Sequence, residues 1–338
     1  MNKWIFYIII FAFVACTAKK ENETKKFEKV LPTLKGKEYL LDSLSKLLEN
    51  TPNDVSLLTQ RSQVLFQLGE NAEGLSDISK AYRLDSSNID MRLVHADFMI
   101  LNNKLLEARN DFNYVISKNP SLTKSYLGLA KSYLIVGNFN KAFEYINEAL
   151  KKDNYLKDAY LMKGFIYKSQ GNWKLAISSY QTAVQIDPNC YEGFVALGSI
   201  YEIQEDTLAY QFYETALSID SNGLDALYGK ALYLQFHDRV PTAQGIYRKI
   251  TSIDSTWTNA YYNQGWIKLV IQKDYDSAAQ FFLRTLELSP KYADAWYNLG
   301  LCHEKRKSID QARTCFQNTL RINPNYTQAK KELDALKY

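Results

Sequence analysis

Between Lys157 and Cys190 the apolar and small positions follow a helical period twice, with a break between. Tyr160, Lys163, Gly164 and Tyr167 stand at i, i+3, i+4 and i+7, on one face of a first helix. After Gly171 and Asn172 the spacing restarts, with Ala176, Tyr180 and Ala183 on one face of a second helix. Gly171 can take the left-handed conformation that ends a helix, and Asn172 suits the start of the next. Asp187 and Pro188 close the segment, because proline disfavours helical geometry in the residue before it and has no N–H to donate. The spacing therefore predicts a helical hairpin. A glycine inside a helix costs roughly 1 kcal/mol relative to alanine, so Gly164 implies the close passage of another helix backbone, with Tyr180 filling space beside it.

The same pattern recurs along the chain. Pro52, Pro120, Pro188, Pro290 and Pro324 are separated by 68, 68, 102 and 34 residues, each a multiple of 34. A small residue of the first helix runs Ser62, Ala96, Ala130, Gly164, Gly198, Ala231, Gly265, Gly300. The small residue opening the second helix runs Gly74, Ala108, Ala142, Ala176, Ala209, Ala243, Ala278, Ala312. The large residue facing them runs Ile78, Phe112, Ile146, Tyr180, Tyr213, Tyr247, Phe282, Phe316.

A helical hairpin repeated every 34 residues with these small and large rows resembles the tetratricopeptide repeat family. The resemblance covers eight repeats, 55–88, 89–122, 123–156, 157–190, 191–223, 224–257, 258–292 and 293–326. It implies an all-α, right-handed α-solenoid, a continuous array in which each repeat contacts its neighbours. Departures are local. Arg61, His95, Lys163, Lys230 and Gln264 stand where the family has an apolar residue, the fifth repeat is one residue short near Glu205, and the seventh has one extra near Lys273. Residues 37–50, with Leu40, Leu44, Leu47 and Leu48 on one face, read as a helix capping one end, and residues 327–338, with Ala329, Leu333 and Leu336, as a cap on the other.

The first residues differ in kind. Lys3 precedes an apolar run from Trp4 to Ala15, which Cys16 ends. This resembles a bacterial lipoprotein signal peptide over residues 1–15, with Cys16 as the lipidated first residue of the mature chain. An ordinary secretory signal is the alternative; the run is short of the roughly 20 residues a bilayer-spanning helix needs. Residues 16–36, rich in lysine and glutamate, read as a solvated tether. These readings imply a lipid-anchored protein of the bacterial cell envelope, with the outer membrane favoured and its face unassigned.

Catalytic chemistry has little support. His95, His237 and His303 fall in different repeats without a second ligand at metal spacing, and no glycine-rich phosphate loop follows a strand. No cofactor is implied. Cys302 and Cys315 could face each other in the last hairpin, as buried small residues or as an oxidisable pair. A formal net charge of +4 is small for 338 residues and argues against nucleic acid as partner.

In this family the stacked first helices line a concave groove, so the resemblance implies that a stripe along them meets a ligand. One row of that stripe includes Leu93, Leu127, Leu161, Tyr228, Tyr262 and Tyr297, with Trp266 one turn from Tyr262, and a flanking row includes Glu192, Asp225 and Asp294. The family's lysine and asparagine clamp for a terminal carboxylate is not matched on these rows. The expected function is a non-enzymatic adaptor holding a protein or peptide that bears apolar and basic side chains; the alternatives are capture of a glycan on the aromatic row, or a passive structural element.

Overall fold

The computed structural model describes residues 34–336, which are helical with no strand among them. The segment 1–15, Cys16 and the tether up to residue 33 lie outside the described residues. No helix among the described residues is long and apolar enough to cross a membrane. Helix α1 (Leu34–Asn50) begins three residues before the expected cap, so the end of the expected tether is helical.

Eight hairpins follow: α2 (Val55–Leu68) with α3 (Asn71–Leu84), α4 (Ile89–Leu101) with α5 (Leu105–Lys118), α6 (Thr123–Ile135) with α7 (Phe139–Lys152), and α8 (Lys157–Ser169) with α9 (Trp173–Ile186). Then come α10 (Tyr191–Ile203) with α11 (Leu208–Ile219), α12 (Leu224–Phe236) with α13 (Val240–Ile253), α14 (Thr258–Trp266) with α15 (Tyr275–Leu288), and α16 (Ala293–Lys305) with α17 (Ile309–Ile322). Helix α18 (Thr327–Ala335) ends the described chain. The chain divides into two compact units, 1–188 and 189–338, with the break inside the closing turn of the fourth hairpin. The repeat pattern, which carries on unbroken across this point, does not mark the division.

Local chemistry explains the helix ends. Asp54, Asn88, Asn138, Asn172 and Asp274 each accept a hydrogen bond from the backbone N–H three residues on, satisfying a donor that the first turn leaves open. Within every hairpin one residue of the turn has positive φ: Gly69, Asn103, Gly137, Gly171, Glu205, Asp238, Lys273 and Lys307. Glycine fills only three of these positions, so the left-handed turn is imposed by the packing of the two helices as much as by residue preference.

The two length irregularities are absorbed locally. The extra residue of the seventh repeat becomes a π-helical turn, Ile267–Ile271, in which Gln272 N–H donates to the Ile267 carbonyl at 3.0 Å. The missing residue of the fifth shortens α11 to 12 residues.

The small and large rows meet as the period requires. The small rows and the large row are buried throughout. A Cβ built on Gly164 would lie 2.6 Å from Cε1 of Tyr180, and one on Gly300 would lie 2.5 Å from Cε1 of Phe316. The expectation at Gly164 is corrected here: what occupies the space is an aromatic ring of the paired helix, not a second backbone.

Three of the polar departures are tied down by partners. Arg61 holds Asp77 with two bonds, Nε to Oδ2 at 2.6 Å and Nη2 to Oδ1 at 2.8 Å. His95 Nδ1 and Arg92 Nη1 converge on the buried Asp111 carboxylate, each at 2.6 Å. Lys230 pairs with Glu214. Gln264 is buried and donates to the Ala260 carbonyl at 3.2 Å, and Lys163 lies near the Tyr160 ring.

Candidate partner-binding face

On each first helix, three residues at i, i+4 and i+8 form a column along one face. In the second unit the columns read Val195, Ser199, Ile203 on α10; Tyr228, Leu232, Phe236 on α12; Tyr262, Trp266, Val270 on α14 and its π turn; and Tyr297, Leu301, Lys305 on α16. In the first unit they read Thr59, Gln63, Gln67; Leu93, Asp97, Leu101; Leu127, Lys131, Ile135; and Leu161, Phe165, Ser169.

The structure corrects the row expected to meet a ligand. Leu93, Leu127 and Leu161 are 5%, 9% and 9% exposed and belong to the interior, because the head of each column faces neighbouring helices. Tyr228, Tyr262 and Tyr297 are half-buried. Each packs on the aromatic residue that precedes the next hairpin or the final helix: Tyr228 on Trp257 with ring centroids 6.3 Å apart, Tyr262 on Tyr292 at 4.9 Å, and Tyr297 on Tyr326 at 5.1 Å.

Two of the three hydroxyls are also engaged. Asn263 Nδ2 donates to Tyr228 Oη and Asn298 Nδ2 to Tyr262 Oη, both at 3.0 Å. Burial pushes the Tyr262 phenol up to about 12 and raises Tyr228 and Tyr297 as well. These tyrosines join successive hairpins, and their faces are largely covered.

The acidic row is not uniform. Asp294 Oδ1 accepts the Tyr326 hydroxyl at 2.7 Å and so is part of the same packing. Glu192 is half-buried. Asp225 keeps contact with water while the surrounding protein raises its carboxyl pKa by desolvation.

What stays open is the far end of each column. Ile203 is 58% exposed, Phe236 67% and Val270 49%. Trp266, half-buried, lies 6.1 Å from Phe236 ring to ring, so the columns of α12 and α14 meet. Sequence reasoning found Trp266 and missed Ile203, Phe236 and Val270. The signal was present, since all three stand eight residues past the head of their column, just before the left-handed turn. The π turn helps to present Val270 and its exposed neighbour Ile271.

In two hairpins of the first unit the middle of the column is charged instead. Lys124 Nζ lies 3.2 Å from Asp97, and Lys131, with its pKa lowered by burial, is held between the fields of Asp97 and Asp158.

The remaining reactive groups point to packing. His237 lies on the Tyr233 ring at 3.8 Å and His303 is depressed by burial. No cluster of three metal-ligating side chains occurs among the described residues. Cys190, Cys302 and Cys315 are buried and form no disulfide among the described residues, and burial pushes the Cys302 thiol up to about 12 and Cys315 to about 11, away from the reactive thiolate.

Comparison with known proteins agrees with the architecture. Two family models described as tetratricopeptide repeat match residues 158–190 and 293–326, and 123–154 and 258–292. The human protein O-mannosyl-transferase TMTC1 is 23% identical over 54% of this chain, which spans 21% of that protein. The type IV pilus assembly protein PilF of Pseudomonas aeruginosa is 27% identical over 54% of this chain, which spans 60% of that protein. A crystal structure of the APC/C hetero-tetramer Cut9-Hcn1 superposes with a TM-score of 0.66 at 20% identity, covering 88% of this chain and 59% of that one. The described residues thus form a helical array in which four of the eight hairpins match tetratricopeptide-repeat models.

Proposed function

We propose that this protein is a non-enzymatic adaptor that holds a segment of a partner protein on the open ends of the first-helix columns in its second unit, as part of a multiprotein assembly. Proteins with these repeats generally mediate protein–protein interactions and scaffolding. The observation that carries the reading here is the exposure of Ile203, Phe236 and Val270 at the same end of successive columns, with Phe236 beside Trp266. Exposed apolar patches of this kind mark interaction sites, and rigid aromatic anchors dominate interface energies.

Anchoring through a lipid on Cys16 in the bacterial cell envelope belongs to the same proposal; its support is the apolar run ending at that cysteine and the likeness to a bacterial pilus assembly protein. Capture of a glycan on the tyrosine row is disfavoured, because the rings of Tyr228, Tyr262 and Tyr297 pack against neighbouring aromatics.

The test compares detergent-solubilised wild type with Phe236→Ser and Val270→Ser. Partner capture should fall tenfold or more, about 1.4 kcal/mol, with thermal unfolding unchanged. Fatty-acid labelling in the same cells should be lost in Cys16→Ser alone. Equal capture by all three proteins would refute the proposed face.

A further inference from the structure

Because the open apolar surface lies at the C-terminal ends of the first helices, the charges that flank it are not those of Glu192, Asp225 and Asp294. Asp225 precedes Phe236 by eleven residues on α12, a separation of about 16 Å along the helix axis. That is about twice the Debye length of roughly 8 Å at physiological ionic strength. Arg239, in contrast, follows Phe236 by three residues.

The turns of the last three hairpins each project an exposed cation without a carboxylate partner: Arg239, Lys273 and Lys307. None of the three side chains has a partner among the described residues, and two of them stand at the positive-φ position of their turn. The carboxylates beside them are mostly engaged already. Asp274 pairs with Lys268 at 3.2 Å, Glu304 with Lys305 at 3.1 Å and Asp276 with Arg306 at 2.8 Å, which leaves Asp238 as the one unpaired acid at these turns. At the apolar ends of α12 and α14 the charges left over are Arg239, Lys273 and Asp238, a net positive excess, whereas the turn beside Ile203 carries the acids Glu205 and Asp206.

We infer that the segment held on this face carries acidic side chains next to the apolar anchors that meet Phe236 and Val270, the reverse of the basic partner that the acidic row suggests. The inference rests on the proposed function and specifies the partner's chemistry. Exposed cations contribute chiefly to encounter rate and selectivity, while the apolar contacts hold the segment. The occupant is a polypeptide, because the columns offer separate apolar anchors, Ile203, Phe236 and Val270, one from each of three successive hairpins, to side chains along a chain.

The experiment uses two synthetic amphipathic peptides that share their Leu and Phe positions and differ only in bearing Glu or Lys elsewhere. Binding to the full chain is read by fluorescence anisotropy at low and high salt. The Glu peptide should bind at least tenfold more tightly at low salt, with the gap narrowing as salt rises, and the combined change Arg239→Glu, Lys273→Glu and Lys307→Glu should reverse the order. Equal binding of the two peptides, both lost in Phe236→Ala, would overturn the charge inference and leave the face standing. Binding that Phe236→Ala leaves intact, or no binding of either peptide, would remove the face and the inference together. Preferential binding to phosphatidylglycerol vesicles, dependent on Phe236 and the three cations, would assign the rim to lipid headgroups and also overturn it.

Discussion

The two units share one backbone plan and differ in what they place between the conserved rows. In the first two hairpins of the first unit the residue beside the small row bonds to a carboxylate on the second helix, Arg61 to Asp77 and His95 to Asp111, while the third and fourth hairpins hold Leu129 with Tyr145 and Lys163 with Ser179. The corresponding places in the second unit hold Leu197 and Phe212, Lys230 and Ile246, Gln264 and Phe281, and Leu299 and Cys315. The column middles run from Gln63, Asp97, Lys131 and Phe165 in the first unit to Ser199, Leu232, Trp266 and Leu301 in the second, so charge sits there in two hairpins of the first unit and in none of the second. The small and large rows are sufficient to set the hairpin, so the positions between them are free to be wired with charge in some hairpins and faced with apolar groups in others. In the second unit the exposed apolar ends include Phe236, whose ring lies 6.1 Å from that of Trp266 in the next hairpin.

Removing the most buried charge should break this contrast most severely. Asp111→Ala leaves the Arg92 and His95 donors without their carboxylate in a site where Asp111 is only 2% exposed, and the expected loss is about 3 kcal/mol. Cys315, at the equivalent place in the last hairpin of the second unit, is a buried thiol in no ion pair, so Cys315→Ala should cost only about 1 kcal/mol. Urea unfolding of the two variants checks the difference; similar midpoints would mean that the ion pairs do not distinguish the first unit.

Alkaline pH should sharpen the contrast from the other side. Burial raises Tyr262 to about 12 and also raises Tyr191, Tyr213, Tyr228, Tyr247 and Tyr292, all in the second unit. Unfolded phenols ionise near pH 10, so the folded chain holds these protons more tightly. Stability from these groups is therefore complete below about pH 10 and falls as pH rises from there toward 12. Hydrogen exchange should show the second unit opening first, with tyrosinate absorbance appearing together with loss of helix. Earlier opening of the first unit, in which Tyr145 and Tyr180 are raised, would contradict this.

The smallest effect concerns what the units have in common. Lys307→Gly relieves a left-handed residue at φ 61° and should stabilise by about 0.5 to 1 kcal/mol, the glycine's greater freedom in the unfolded chain offsetting part of the gain. Gly171→Ala, at the same place in the first unit, should lose a similar amount; thermal melts of both variants measure it.

The helices and their pairing were legible in the sequence because each depends on spacing within a short segment. Tyr180 beside Gly164, the turn at Gly171 and the closing Pro188 are near neighbours in the chain, and repetition at 34 residues multiplies a weak signal. The expected partner row was less legible. Periodicity places Leu93 and Phe236 on comparable faces of their helices, yet one is 5% exposed and the other 67%.

Which end of a column stays open is settled by what the next hairpin lays across it. Trp257, Tyr292 and Tyr326 cover the heads of the columns, and the π turn brings Val270 outward at the other end. The sequence by itself determined the repeat, the hairpin and the small and large rows, since these follow from helical geometry and local sterics. Only the tertiary structure decided that the tyrosines join hairpins and that the open apolar surface lies beside the basic turns, because solvent exposure is a property of contacts between residues more than thirty positions apart.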